Sequence, residues 1–302
     1  MSEPTTPLVV VTGANGLVGA QVCAALVERG ARVRAVVRRA GGAPALRDVE
    51  ERVGEFTDAD FAAEVVAGAD AVVTTVHPMG EDRETQERIG VEGTTTIARA
   101  AAQAGVAWLV HVSTAAVYDR SPAAGDIDET SPLVGDDAND YSVTKRDTDA
   151  AIAGVDGPTR VLLRPPAILG AGETSVWNTL RPAAARDEEA ARHGVADQSF
   201  AWVHVADLAS LAADVAIGRV ATADDPDLGP VAGACTAVNV AAGAPPWRDY
   251  LETVCRAVGV EPVWDDEPAW TGRISADRAH RWGWSPAVTQ ESAFAELVSG
   301  LA

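Results

Sequence analysis

Short apolar runs alternate along this chain with longer stretches in which apolar positions recur every three or four residues. The first run, Leu8-Val9-Val10-Val11, is continuously apolar, as a parallel strand buried on both faces would be. It breaks at Thr12-Gly13-Ala14-Asn15-Gly16-Leu17-Val18-Gly19, where glycines stand three apart. Val18, Val22, Ala25 and Leu26 then keep helical spacing, and Gly30 stands where a helix would stop. Arg32 to Arg39 reads as a second strand whose carboxyl end carries paired arginines. A short third strand near Val53 to Phe56, a helix from Asp58 to Ala67 and a fourth strand from Ala69 to Val76 follow. A longer helix fits Arg83 to Ala104, and Trp108 to Val112 is a fifth strand ending in Ser113-Thr114. Asp119 to Asp140, rich in Pro, Gly and Asp, reads as a long loop before a helix. Pro165-Pro166 must end a sixth strand, Arg160 to Arg164.

This order predicts an α/β fold, a doubly wound parallel sheet of the Rossmann kind, with ligands beyond the carboxyl ends of the strands. The pattern changes to a charged, Ala-rich stretch over Ala171 to Gln198. Val203 to Val205, a helix from Asp207 to Val215 and the strand-like Ala237 to Val240 then bring the chain back to the sheet. Trp247, Leu251, Val254 and Val258 mark a late helix.

The glycine turn has a chemical reading. Gly13 permits a tight bend, Gly16 lets backbone amides approach a diphosphate, and Gly19 lets the helix lie close to the strand. A diphosphate there would meet the unpaired N–H groups of the helix start. Gly13, Asn15, Gly16, Leu17 and Val18 are therefore the expected dinucleotide site. At the end of strand two a carboxylate would bind a ribose 2′-hydroxyl, and an arginine a 2′-phosphate. Val37, Arg38 and Arg39 stand there, so NADP(H) is expected over NAD(H). The expected division is an NADP-binding domain over residues 1–170 and a small C-terminal substrate-binding region over residues 171–302, of which about 200–242 rejoin the sheet.

Composition narrows the partners. The 302 residues, 47% hydrophobic, can bury a large core. A formal net charge of -20 argues against nucleic acid or an anionic membrane as partner and reads as solubility. No apolar run reaches the roughly 18 residues of a membrane span, and Met1 to Pro7 lacks the parts of a signal peptide, so a cytoplasmic location is expected. Cys23, Cys235 and Cys255 read as small apolar residues; His77, His111, His193, His204 and His280 lack ligand spacing, and no metal is expected. His204 would brace its strand, and Asp207 would cap the next helix.

Tyr141-Ser142-Val143-Thr144-Lys145 puts a phenol and an ammonium one turn apart on one helical face. At about 4 Å and an effective dielectric of about 20 their attraction is on the order of 4 kcal/mol, enough to lower the phenol pKa by a few units. Tyr141 is thereby a candidate general acid–base, with Ser113 or Thr114 holding the substrate oxygen.

Together these segments resemble an extended short-chain dehydrogenase/reductase, of the family grouping NAD(P)-dependent epimerases, dehydratases and reductases. The matching pieces are Thr12 to Gly19, Val112-Ser113-Thr114-Ala115-Ala116-Val117-Tyr118, Tyr141 to Lys145, Arg164-Pro165-Pro166-Ala167-Ile168-Leu169-Gly170, Val203 to Asp207 and Trp282-Gly283-Trp284-Ser285-Pro286. The resemblance implies that Tyr141 is the acid–base, that Lys145 lowers its pKa and binds the nicotinamide ribose, and that Thr114 holds the reacting oxygen, with Ser113 as fallback. It implies that Pro166 and Ile168 line the nicotinamide, and that copies pair through the helices before strand five and around Tyr141.

Departures choose among the family's reactions. Ala115 and Ala116 replace the acidic pair of sugar dehydratases, and Val37 and Phe200 stand where sugar-nucleotide epimerases carry an acidic residue and an arginine. Strand two resembles that of dihydroflavonol and cinnamoyl-CoA reductases, which use NADPH. Gly90 replaces an Asn that many relatives use to anchor a proton-relay water. The expectation is an NADP(H)-dependent carbonyl reductase, or the reverse alcohol dehydrogenase, acting on a partly apolar or aromatic small molecule beside Trp177 and Trp202. The alternatives are a nucleotide-sugar epimerase or ketoreductase, with Arg181 or Arg186 on the diphosphate, and an NADP-binding sensor without turnover.

Overall fold

The computed structural model describes residues 6–301. Most of the segment read above for a leader, Met1–Thr5, lies outside the described residues. The strands are β1 (Leu8–Thr12), β2 (Arg32–Val37), β3 (Val49–Val53), β4 (Ala71–Thr74), β5 (Trp108–Val112), β6 (Thr159–Arg164), β7 (Ala167–Leu169), β8 (His193–Gly194), β9 (Trp202–His204), β10 (Cys235–Asn239) and β11 (Val263–Trp264). Seven of them form one parallel sheet in the order β10-β6-β5-β4-β1-β2-β3. The order reverses at β1, whose Val9 pairs with Val33 of β2 on one side and Ala71 of β4 on the other. A crevice at that switch point is where this class of sheet binds ligands.

The helices are α1 (Leu17–Glu28), α2 (Ala59–Val66), α3 (Arg83–Gln86), α4 (Thr94–Gln103), α5 (Asp140–Ala153), α6 (Arg181–Asp187), α7 (Val205–Ala216), α8 (Trp247–Val258), α9 (Asp277–Arg281) and α10 (Gln290–Leu301). Alternate residues of the strands feed two cores. Val9, Val11, Val33 and Val110 pack with Val22, Leu26, Leu208 and Leu211 of α1 and α7. Val10, Val36, Val72 and Leu109 pack with Val65, Ile97 and Ile152 of α2, α4 and α5. A third cluster, with Leu169, Phe200, Trp202, Trp247 and Tyr250, lies among α6, α8 and α10.

One buried ion pair ties α5 to the sheet. Arg164 Nε of β6 donates to Asp149 Oδ2 at 3.0 Å, both side chains being nearly inaccessible. Arg164 Nη1 donates to the Tyr118 hydroxyl at 2.9 Å, and that hydroxyl donates to Asn239 Oδ1 of β10 at 2.9 Å.

Four expectations are corrected here. The third strand is Val49–Val53, not Val53 to Phe56. Its polar Glu50-Glu51-Arg52 hid it, and those charges are tolerated because β3 is the edge of the sheet. Within about 200–242 only β10 joins the sheet; β9 pairs instead with β7 in a small ladder. Between α3 and α4 the helix widens into a π-helical stretch, Glu87–Gly93. Finally, Asp207 does not cap α7: its carboxylate accepts from Ala287 N (2.9 Å) and Val288 N (3.1 Å), while His204 caps the helix by accepting from Ala206 N.

Gly13 has φ +69°, and a Cβ on Gly19 would stand 2.1 Å from the Gly13 carbonyl oxygen. Gly19→Val should therefore cost about 1–3 kcal/mol of stability and weaken dinucleotide binding. Urea denaturation and NADPH titration of the variant measure both.

Candidate active site

A cavity of about 580 Å³ opens along the carboxyl ends of β1, β2, β4 and β5. One end is walled by Gly13, Asn15, Gly16, Leu17, Val18 and Arg38, the other by Ser113, Thr114, Tyr141, Pro166, Ile168 and Trp177. α1 begins at Leu17 with no side-chain cap on Gly16, which leaves first-turn N–H groups to a ligand. These residues fit a dinucleotide: the turn at Gly13 and Gly19 excludes side chains, and the strand-two end that frames the cavity carries a cation and no carboxylate.

The chemical end is set by local structure. Asn139 caps α5 by accepting from Ser142 N at 3.0 Å, which starts the helix one residue before Tyr141. Thr114, extended at the end of β5, accepts from Ala116 N at 3.1 Å. That bond occupies a lone pair and leaves the Thr114 O–H to donate, to the neighbouring Tyr141 oxygen or to an oxygen in the cavity.

Lys145 is not where helical spacing put it. Its Nζ donates to Val112 O at 2.8 Å and lies 3.2 Å from His111 Nε2, behind the strand end and off the cavity wall. Burial pushes the ammonium down to about 8, and the Asp149 charge pulls it back up. His111 is held well below its usual value, first by burial, then by Lys145. A neutral imidazole facing an ammonium accepts at Nε2, so Nδ1–H donates to Thr74 Oγ1 at 2.8 Å.

The phenol is correspondingly different from expectation. Burial raises the Tyr141 pKa; hydrogen bonding from Thr114 and then the Arg120 charge pull it down, and Asp149 pushes it up. Arg120, not Lys145, is the cation that acts on it. Rotatable bonds carry a lysine head group far from its Cβ, and here the Val112 carbonyl holds it on the sheet side.

His77, from the end of β4, meets the Tyr141 ring edge-on at 5.1 Å and lines the cavity. Burial, with the Lys145 charge, pushes it down to about 4. A Cβ on Gly90 would come within 2.9 Å of His77 Nδ1, so the Asn-to-Gly departure makes room for this ring.

Other expected residues separate. Arg39 follows Arg38 in the exposed bend after β2 and does not line the cavity. Trp202 is buried core. Arg181 lies over Trp177 (5.2 Å) and Trp247 (5.0 Å) and is not a cavity residue, while Arg186 pairs with Asp187 on the surface. Glu55 and Phe56 after β3, Thr75 to His77 after β4, and Arg120 line the cavity without having been foreseen. The rule that ligands lie beyond strand ends points to the first two groups; nothing in the loop pattern marks Arg120. Among the described residues no helix is long and apolar enough to cross a membrane.

A glycine turn feeding a helix start, at the switch point of a doubly wound sheet, defines a dinucleotide-binding α/β protein. Residues 9–226 match the NAD dependent epimerase/dehydratase family, and the chain belongs to that enzyme family. Curated relatives include the 3-beta-hydroxysteroid dehydrogenase of Mycolicibacterium neoaurum, 32% identical over 193 residues, 59% of this chain and 53% of the relative. A second is the 4-hydroxy-2-methyl-3-oxo-4-farnesyl-3,4-dihydroquinoline-1-oxide ketoreductase of Stigmatella aurantiaca, 33% identical over 172 residues, 55% of this chain and 51% of the relative. The matched region thus spans about half the length of these relatives. Among solved structures, WbmH of Bordetella bronchiseptica in complex with NAD+ superposes with a TM-score of 0.78 over 98% of both chains at 17% identity, a likeness of fold.

The buried ammonium has a thermodynamic signature. In the folded protein Lys145 titrates near 8 against an ordinary 10.5, so between these values the unfolded chain binds the extra proton and stability rises with pH. Relative to Lys145→Met, the wild type should gain about 3 kcal/mol across that window, with the penalty fully present below pH 8. Denaturant midpoints of both proteins from pH 7 to about 10.5 measure the difference.

Proposed function

We propose that this chain is an NADP(H)-dependent carbonyl reductase acting on a partly apolar small molecule. The observation that carries the reading is that Thr114 and Tyr141 line the same cavity as the glycine turn Gly13 to Val18. Burial keeps the Tyr141 phenol protonated at physiological pH, so it holds the proton that a carbonyl oxygen takes as hydride arrives at the carbon. The dehydrogenase and ketoreductase names of the relatives support chemistry on hydroxyl and keto groups.

When bound, NADPH supplies the hydride. Thr114 O–H donates to the carbonyl oxygen and orients it, and Tyr141 gives that oxygen its proton. Pro166, Ile168 and Trp177 exclude water from this end. Gly13, Asn15, Gly16, Leu17 and Val18 hold the diphosphate region, and Arg38 holds the 2′-phosphate. Lys145 keeps a positive charge under the Ser113-Thr114 strand end. The epimerase alternative loses support because Arg181 and Arg186 lie away from the cavity.

Glu55, on the cavity wall after β3, favours a second reading in which NAD(H) is used and its carboxylate takes a ribose hydroxyl. Arg38→Ala discriminates: the NADPH-to-NADH ratio of kcat/KM should fall at least tenfold if Arg38 meets a phosphate, and stay level if Glu55 governs.

Tyr141→Phe should bind NADPH with wild-type affinity and lose about 10²–10⁴ of its turnover. Stopped-flow reduction of an aryl ketone with deuterium-labelled NADPH measures this, and label should appear on the carbinol carbon of the wild-type product.

A further inference from the structure

The ionisable side chains on the cavity wall are Arg38, Glu55, His77, Arg120 and Tyr141. Arg38 and Glu55 belong to the adenosine end, His77 is neutral at physiological pH, and Tyr141 is the proton donor of the proposed reaction. Arg120 is left over. Its charge pulls on the Tyr141 phenol, but nothing in the reduction described above uses its N–H donors.

Arg120 is an exposed residue. The chain carries 44 acidic residues, yet among the described residues no carboxylate stands within ion-pair distance of Arg120. The other partner of its guanidinium is a ring: the group lies 5.9 Å from the centre of Trp270. Such stacking occupies a face of the guanidinium and leaves the in-plane N–H donors free. The ring is fixed, since Trp270 is buried and its Nε1 donates to Gly125 O at 2.6 Å. The segment carrying Arg120 is fixed as well. Asp119 N donates to Pro132 O at 2.9 Å, and Ser121 N to Asp119 Oδ1 at 3.0 Å. Further along the same loop, Ile127 N donates to Arg273 O at 2.9 Å. A guanidinium fork on the cavity wall, over a fixed ring and next to the group that protonates the carbonyl, matches a planar anion.

We propose that Arg120 is a specificity-determining residue that binds an anionic group, a carboxylate or a phosphate, carried by the substrate close to its reacting carbonyl. This rests on the carbonyl-reductase reading and narrows it from apolar ketones to acidic ones: an aromatic or aliphatic body against Trp177 and Ile168, and an anionic end on Arg120. Placing the anion beside Arg120 also sets the carbonyl against Thr114 and Tyr141, which line the same end of the cavity.

The reaction test compares benzoylformate with methyl benzoylformate, which share a ketone and differ by one charge. The acid should be preferred by the wild type, and Arg120→Ala should lower the acid-to-ester ratio of kcat/KM by about 10- to 100-fold, with Arg120→Lys retaining part of the preference. An unchanged ratio, or equal losses on acid and ester, overturns the proposal. A binding test stands apart from turnover: phenylacetate, benzyl phosphate and benzyl alcohol are titrated into the enzyme with saturating NADP+, following tryptophan fluorescence. Arg120→Ala should weaken one of the two anions at least tenfold relative to the alcohol, and which one assigns carboxylate or phosphate. Anion binding that depends on Arg120 in an enzyme that reduces no ketone would sink the reductase reading and keep this one. Ketone reduction in which neither anion depends on Arg120 does the reverse.

Discussion

Between Gly19 and the carbonyl oxygen of Gly13 there is no room for a methyl group. That contact lets α1 lie directly against the end of β1, so the first-turn N–H groups of the helix and the carboxyl ends of the strands face one space. Residues far apart in sequence, from Asn15 to Trp177, become walls of a single cavity for this reason. The parallel register does the rest, because every strand of the main sheet delivers its carboxyl end to the same edge.

Charge is buried at that edge, and it is costly. Asp149 and Arg164 satisfy each other between α5 and β6 and lock the helix that carries Tyr141. Among the described residues no carboxylate contacts Lys145; its ammonium is held by one carbonyl oxygen and a neutral imidazole. Groups strained in this way concentrate where chemistry is done, and stability is given up there for a prepared electrostatic environment. Burial at the same edge raises the Tyr141 phenol and keeps it protonated.

Where the sequence misled, the cause was a long side chain or an edge. The i and i+4 spacing of Tyr141 and Lys145 fixes where their Cβ atoms lie, while the lysine head group follows the best acceptor within reach, the Val112 carbonyl. β3 carries charges an interior strand would not accept, so periodicity passed over it. Trp202 and Arg181 looked like substrate contacts because aromatic and cationic residues are common in pockets; packing sent one into the third core and the other between two tryptophans. The Gly90 departure became intelligible only with His77 beside it, since the two are brought together by the turn after β4 and the π-helical stretch.

By itself the sequence determined the doubly wound sheet, the glycine turn with its helix, the arginine at the end of β2 and the pairing of Ser113-Thr114 with a following Tyr141. These are local matters of backbone freedom, apolar period and strand order. Tertiary structure alone decided which charges meet: Lys145 turned to His111, Asp149 to Arg164, and Arg120 left facing the cavity over Trp270. Such outcomes depend on distances across the sheet and on competition among acceptors, quantities that no spacing along the chain encodes.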